Sequence, residues 1–213
     1  MKSFNSKNKY GPALSEANGF TLIEFMVVIG IFIVFSGIML ARYSTLKSST
    51  SVENLAQDMA ITIRKAQLYS VGVKGVMDIS SKEIFPPGYG ISFSSSNTKS
   101  YVLFADLAVG IGASGNKIYD SAGSGSGCGS SSLIFGNECL DTVSINSYDT
   151  IDKLYVDATV CSGNLDIVFT RPNLGASIKC GSTVGSKAQI EVKSSNGKIK
   201  TIYVESAGNM GVK

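Results

Sequence analysis

Four cysteines are the side chains of this sequence that are best suited to covalent chemistry. Cys128, Cys139, Cys161 and Cys180 all lie in the C-terminal half of the chain, and none belongs to a CxxC pair. A zinc site usually has ligand pairs about two to four residues apart. The spacing therefore favours structural disulfides formed in an oxidising compartment, and buried free thiols are the alternative.

Four cysteines allow three pairings. We predict Cys128–Cys139 and Cys161–Cys180, because each pair closes a short local loop. Closing loops of roughly 12 and 20 residues stabilises a fold by about 3 kcal/mol each in the chain-entropy model.

Glu24 is a carboxylate inside an apolar run that extends from Phe20 to Ala41. A charged side chain deep in a membrane costs on the order of 2–3 kcal/mol, so such residues are usually paired or functional. We therefore expect Glu24 to need a cationic partner. The alternative is a carboxylate that snorkels to the lipid headgroups.

Other arrangements do not support catalysis or cofactor binding. The sequence has no histidine, which removes the usual general base and a Ser-His-Asp triad, so we predict no catalytic residue. The glycine-rich stretch at 123–129 is not followed by the GK[ST] of a phosphate-binding loop. Asp149, Asp152 and Asp157 lack the spacing of a calcium loop, so no metal or cofactor is predicted.

Lysines near the C-terminus are the one candidate for a ligand-binding patch. Lys193, Lys198 and Lys200 lie on a predicted hairpin with Tyr203, which is a combination suited to DNA. Acidic residues such as Glu191 interleave with these lysines, and the formal net charge of the chain is only +3. A solvated strand face is therefore favoured over DNA binding.

The apolar run predicts a helix that divides the chain into four parts. Residues 1–19 form a polar leader with several lysines, and residues 20–41 are long enough to cross a bilayer. The lysines precede this span, which predicts a cytoplasmic N-terminus. Residues 42–71 continue the helix with one apolar face, formed by Val52, Leu55, Met59, Ile63 and Ala66.

Residues 72–213 predict a β-rich head, so the fold class is α+β with a long N-terminal helix packed on antiparallel strands. Short runs rich in β-branched and aromatic residues predict the strands. These runs are 90–94, 100–106, 142–147, 153–160, 165–170, 188–193 and 198–205. Asn196-Gly197 predicts a type I′ turn in the last hairpin.

The segment GFTLIE at Gly19–Glu24, between a basic leader and an apolar helix, resembles the processing signal of type IV pilins and type II secretion pseudopilins. The resemblance implies that a prepilin peptidase cuts between Gly19 and Phe20 and methylates the amine of Phe20. It also implies that Glu24 pairs with the Phe20 amine of a neighbouring subunit during assembly. The sequence departs from many pilins at Ala41, where a helix-kinking proline is common.

The head resembles the minor pseudopilins of the GspH/FimT kind in the segment 169–173 and in a final hairpin that ends at 208–211. We therefore predict a non-enzymatic filament subunit, a pilin or minor pseudopilin, in a single-pass plasma-membrane form and then in an extracytoplasmic filament. Its implied partners are the peptidase, an inner-membrane assembly platform, other pilin subunits and the membrane. The alternatives are an anchored surface protein that does not polymerise and a DNA-uptake minor pilin.

Overall fold

The computed structural model describes residues 19–77, 82–107, 115–120, 128 and 138–213. The predicted leader, apart from Gly19, and the glycine-rich loop at 121–127 lie outside these described residues. The chain divides into two compact units, residues 1–44 and 45–213, with the boundary between Ser44 and Thr45.

Helix α1, Leu22–Val71, is one uninterrupted element of 50 residues. Its first turn is capped by the hydroxyl of Thr21, which accepts a hydrogen bond from the backbone N–H of Glu24 at 3.3 Å. The sequence supplies no proline within this range, so nothing breaks the helix. The last turn closes when Gly72 N–H donates to the carbonyl of Leu68 at 2.8 Å.

Antiparallel strands make up the rest of the described chain. The described strands are β1 Val76–Met77, β2 Glu83–Ile84, β3 Gly88–Ser94, β4 Asn97–Asp106, β5 Cys139–Ser144, β6 Thr150–Val156, β7 Thr159–Val160, β8 Asn164–Thr170, β9 Ala176–Cys180, β10 Thr183–Gly185, β11 Lys187–Lys193, β12 Ile199–Glu205 and β13 Met210–Val212. The larger sheet has the order β10-β9-β8-β3-β4-β5, and the smaller sheet has the order β13-β12-β11-β6-β7. Strands β1 and β2 form a separate ribbon. The predicted α+β fold class is therefore confirmed.

One hydrophobic core joins both sheets to the part of α1 that follows Thr45. The helix contributes a fully buried stripe at intervals of three or four residues, as the amphipathic pattern predicts. This stripe consists of Val52, Ala56, Met59, Ile63 and Ala66, with Leu55 packed beside it. From the larger sheet, Tyr89, Ile91 and Phe93 of β3 point into the same core, and from the smaller sheet so do Ile190 and Val192 of β11.

The last hairpin is present, but the predicted type I′ turn is wrong. That turn needs positive φ at both central residues. Only Gly197 has one, at 85°, while Asn196 does not. Ser194 N–H donates to the carbonyl of Lys198, and Gly197 N–H donates back to Ser194. The connection is therefore a three-residue loop with glycine in the left-handed position.

Several strand boundaries also differ from the prediction. The run 153–160 is split by a turn at Asp157, which has a φ of 55° and separates β6 from β7. The run 142–147 is shifted, because β5 spans Cys139–Ser144. Strands β9, β10 and β13 were not predicted, since their short segments have mixed composition and gain their order by pairing with β8, β9 and β12.

Candidate functional site

The N-terminal end of α1 presents the predicted processing residues in an open arrangement. Gly19 and Phe20 precede the helix without regular structure, and the side chain of Phe20 is 80% exposed. A Cβ placed on Gly19 would have no heavy atom of the described residues within 4 Å. An enzyme that reads an extended backbone would therefore meet no local obstruction from these residues.

Glu24 lies one turn into the helix, beside Leu22, Ile23 and Phe25, and all four side chains are exposed. Its backbone N–H is used by the Thr21 cap. Among the described residues, no lysine or arginine forms an ion pair with its carboxylate. The acidic group also sits where the helix dipole favours negative charge. A positive partner for Glu24 is therefore not supplied by this part of the chain.

The first half of α1 has an apolar surface that is exposed on all sides. Large side chains from Leu22 to Leu40 are mostly more than half exposed, including Phe32, Phe35 and Met39 at 70%, 66% and 78%. By length and composition, α1 is long and apolar enough to span a membrane, and it is the one such helix in the described part of the chain. The helix therefore carries a large surface that water does not favour.

The second half of α1 is buried along one face and exposes apolar residues on the other. Ile61 and Leu68 are 65% and 61% exposed, on the side opposite the buried stripe. Thr62 turns its hydroxyl back to the carbonyl of Asp58, at 2.9 Å, and lies 3.3 Å from the hydroxyl of Tyr101. The face that carries Ile61 and Leu68 is therefore exposed and partly apolar.

The four cysteines form two disulfides, Cys128–Cys139 and Cys161–Cys180. These are the two pairs predicted from the sequence. Cys139 begins edge strand β5, so the first bridge ties Cys128 to the larger sheet. The second bridge joins the segment after β7 to the end of β9, and thus connects the smaller sheet to the larger one.

The lysines near the C-terminus that were considered as a candidate patch do not form one surface. Lys200 forms an ion pair with Glu53 of α1, and Lys198 bonds the hydroxyl of Ser49 on the same helix. Lys193 and Tyr203 alternate to the opposite face of the smaller sheet. Strand alternation therefore divides the four residues between two faces, which weakens the case for a DNA site.

The three aspartates considered for calcium have separate structural roles. The buried carboxylate of Asp149 accepts hydrogen bonds from the hydroxyls of Ser51 and Ser147, at 2.5 and 2.7 Å. Asp157 accepts bonds from the backbone and hydroxyl of Ser186. These hydrogen bonds lower the pKa of Asp157. Within the described ranges, no group of three or more acidic, cysteine or histidine side chains could hold a metal ion.

Three further carboxylates, those of Asp106, Glu138 and Asp166, are buried in the head and were missed from the sequence. Burial raises the pKa of Asp106 to about 6 and that of Glu138 to about 7. It also raises the pKa of Asp166. One oxygen of Asp106 and one of Asp166 have no hydrogen-bond partner among the residues that the structure describes.

Comparison with protein-family models, with curated proteins and with solved structures finds no match for this chain.

The signal that could have located the buried carboxylates is their sequence context. Asp106 ends the run YVLFAD, and Asp166 interrupts LDIVF, so each acid lies in an otherwise apolar strand. Glu138 immediately precedes the cysteine that begins β5. An acidic residue at a position that the strand pattern assigns to a buried face needs a hydrogen-bond or ionic partner.

Proposed function

We propose that this chain is a type IV pilin-like subunit, a pilin or a minor pseudopilin, that is cut between Gly19 and Phe20 and assembles into an extracytoplasmic filament. The observation that carries the proposal is the environment of Glu24. Its carboxylate lies in an exposed apolar helix without a positive partner among the described residues, and Glu24 is the last residue of the GFTLIE segment that resembles a prepilin processing signal.

The free amine that would be created by cutting before Phe20 is a suitable partner for Glu24. A cut after Gly19 would leave a positive group four residues before Glu24 in sequence, at the end of an exposed helix. In a bundle of such helices, the amine of one subunit reaches the carboxylate of the next. The pair would neutralise both charges in a medium where a lone carboxylate costs on the order of 2–3 kcal/mol.

The exposed surfaces of α1 support the assembly part of the proposal. The apolar first half satisfies the requirement for a membrane span, and packing against similar helices would cover it outside the membrane. Ile61 and Leu68 extend this apolar surface into the part of the helix that belongs to the head. The two disulfides support folding of the head in an oxidising compartment.

The partners in this proposal are a prepilin peptidase, an inner-membrane assembly platform and further pilin subunits. The subunit would reside in the plasma membrane with a cytoplasmic N-terminus before assembly. Segment 169–173 and the final hairpin favour a minor subunit of the GspH/FimT kind. The rival is a singly anchored surface protein whose head binds a ligand, and such a protein would keep its leader.

Intact mass spectrometry of the membrane-extracted chain separates the two functions. We expect a chain that begins at Phe20 and carries one added methyl group. The matched control is the same chain produced in cells without the peptidase, which should retain residues 1–19. A mass equal to residues 1–213 in cells with an active peptidase would rule out the pilin-like function.

A further inference from the structure

A short segment, residues 115–120, covers the face of the larger sheet that points away from the main core. We call it the strap. Gly90 of β3 pairs with Phe104 of β4 and Val168 of β8, and these residues alternate with the core residues of the same strands. Phe104 and Val168 are nevertheless fully buried. The ring of Tyr119 packs on Phe104, with 5.3 Å between the ring centroids.

The strap is attached to the sheet mainly through buried carboxylates. Lys117 N–H donates to Asp106 Oδ1 at 3.1 Å, and Asp120 N–H donates to Glu138 Oε2 at 3.0 Å. Asp166 receives the backbone N–H of Tyr119. Each of the three acids therefore accepts a hydrogen bond from the backbone of the strap.

Glu138 also links the strap to the ends of the two strands beneath it. Its second carboxylate oxygen, Oε1, accepts the N–H of Leu107 at 2.7 Å, just after β4. The backbone of Glu138 bonds Ala105 on one side and Asp120 on the other. Loss of this residue's contacts would therefore release the strap at its C-terminal end.

Positive charges near the strap do not neutralise these acids directly. Asp106 faces Lys117, Lys179 and Asp120, whereas Glu138 faces, among the described residues, the acidic side chains of Asp106 and Asp120 and the phenol of Tyr119. Asp166 faces Asp120 and Lys179. The ammonium of Lys179 bonds the carbonyl of Asn116 instead, at 2.8 Å. In the part of the chain that the structure describes, none of the three carboxylates has a direct ion pair.

Close packing keeps the acids away from water. A Cβ placed on Gly115 would lie 2.1 Å from Cγ of Asp106, so only glycine lets the strap approach this closely. Asp106, Glu138 and Asp166 are each 2% exposed or less. A buried carboxylate without a cation is more stable when it carries a proton.

We propose that the strap is a proton-operated cover, which lies on the larger sheet when Asp106 and Glu138 are protonated and lifts from it when they ionise. The direction of the pH effect follows from the linkage between proton binding and closure of the strap. Burial raises the pKa of Asp106 from 3.8 to about 6 and that of Glu138 from 4.5 to about 7. The closed strap thus binds protons more tightly than the open one, and closure weakens as pH rises through these values.

Opening the strap would uncover an apolar surface at neutral or alkaline pH. Phe104 would lose the cover of Tyr119, while the hydrogen bonds between strands β3, β4 and β8 would remain. The sheet itself does not need to unfold, because its other face is held by the main core. This inference does not depend on cleavage at Gly19 or on assembly.

Hydrogen–deuterium exchange of the full chain in detergent micelles tests the proposal. After correction for the intrinsic exchange rate, we expect protection of the strap amides to fall by at least about tenfold between about pH 5 and about pH 8. Amides of β11 and β12 should stay more protected than those of the strap at both pH values, because the strap opens while the sheets remain folded. Protection of the strap that does not vary with pH would overturn the proposal.

The double variant Asp106→Asn with Glu138→Gln identifies the groups responsible. The carboxamides keep an acceptor for the strap but cannot ionise, so protection should remain within about twofold over the same pH range. Asp141→Asn on strand β5 is the matched control, because its side chain is exposed and it should behave like the unchanged chain. If the double variant does not form both disulfides, Glu138→Gln alone should remove part of the pH dependence of strap protection.

Two results would contradict the proton mechanism. One is a double variant in which strap protection still falls with pH as in the unchanged chain. The other is full restoration of strap protection at about pH 8 by calcium chloride, reversed by EDTA, which would identify a cation as the neutralising group. No effect of calcium, together with a flat profile in the double variant, would establish the proton as the neutralising group.

Discussion

Both compact units of this chain place carboxylates among apolar residues without an ion-pair partner in the described residues, but they treat them differently. In the first unit, Glu24 is exposed on an apolar helix, and its carboxylate receives no hydrogen bond from the described residues. In the second unit, Asp106 and Glu138 are buried and accept backbone N–H groups from the strap. The head thus gives each of its buried acids at least one hydrogen bond, whereas the described residues give none to the carboxylate of Glu24.

Under the proposed function, this difference separates a group that needs a partner from another subunit from groups that complete a fold. An exposed charge costs nothing in water, and it becomes expensive only when the helix enters a membrane or a bundle. A buried charge already costs stability in the folded chain, so hydrogen bonds or protons must offset it. The variants below should therefore affect assembly and folding independently.

The largest effect is expected for Gly19→Val. A branched side chain at the cut should block the peptidase, so the Phe20 amine is not produced and assembly should be abolished. Sheared filament compared with membrane-retained subunit gives the measurement, and gel mobility reports leader removal. Gly11→Val in the leader is the control and should allow normal cutting. Filaments built from an uncut Gly19→Val chain would show that the amine is not needed.

Glu24→Gln should have the next largest effect. The amide keeps the size of the side chain but removes the charge, so filament yield should fall by at least about tenfold while the leader is still cut. Glu53→Gln on the same helix is a matched control, because Glu53 already pairs with Lys200 inside the head. A normal filament yield from a strain whose only copy is the Glu24→Gln variant would show that the charge of Glu24 is not needed for assembly.

Gly208→Ala should act on the head and leave processing unchanged. Gly208 has a φ of 91°, and an added Cβ would lie 2.2 Å from the carbonyl oxygen of Leu174. The same carbonyl accepts a hydrogen bond from the buried amide of Gln67 on α1, which also bonds the carbonyl of Gly208. We expect the free energy of unfolding to fall by about 2–3 kcal/mol.

Urea unfolding of the full chain, followed by near-ultraviolet circular dichroism, measures this loss. Gly163→Ala is the matched control, because a Cβ there meets no heavy atom of the described residues within 4 Å and its φ is not positive. Its effect should stay below about 0.5 kcal/mol. Equal effects of the two substitutions would mean that the contacts of Gln67 and Leu174 do not hold the helix to the head.

The helix and the alternating strands could be predicted from the sequence because their patterns are local. The apolar run and the absence of proline predict a helix from Phe20 to Tyr69, and the structure shows Leu22–Val71. The buried positions of the second half follow the three-and-four spacing of Val52, Met59 and Ile63. The same local reasoning selected Glu24 as an acid that needs a partner.

The strap could not be predicted, because it depends on contacts between distant parts of the chain. Asp106, Glu138 and Asp166 come from three strand regions that the antiparallel pairing of β3, β4, β5 and β8 brings together. No local pattern states that residues 115–120 return over this face. Likewise, the split of the lysine patch required the register that turns Lys200 toward Glu53 and Tyr203 away from it.

The smallest effect is expected from a change of pH, and it tests the buried carboxylates of the head. Raised pKa values for Asp106, about 6, and Glu138, about 7, mean that the folded head binds protons more tightly than the unfolded chain. Their contribution to stability is complete below about pH 4 and is lost as pH rises through 6 and 7. The free energy of unfolding should therefore be lower at about pH 8 than at about pH 5, by about 2 kcal/mol.

Glu53 and Asp157 do not obscure this change, because their pKa values are lowered and their contributions are lost only in acid below about pH 4. Asp152→Asn, at an exposed position, should keep the full pH dependence, whereas Asp106→Asn with Glu138→Gln should flatten it. Stability that rises from about pH 5 to about pH 8 would mean that the strap hydrogen bonds outweigh burial and keep these acids charged.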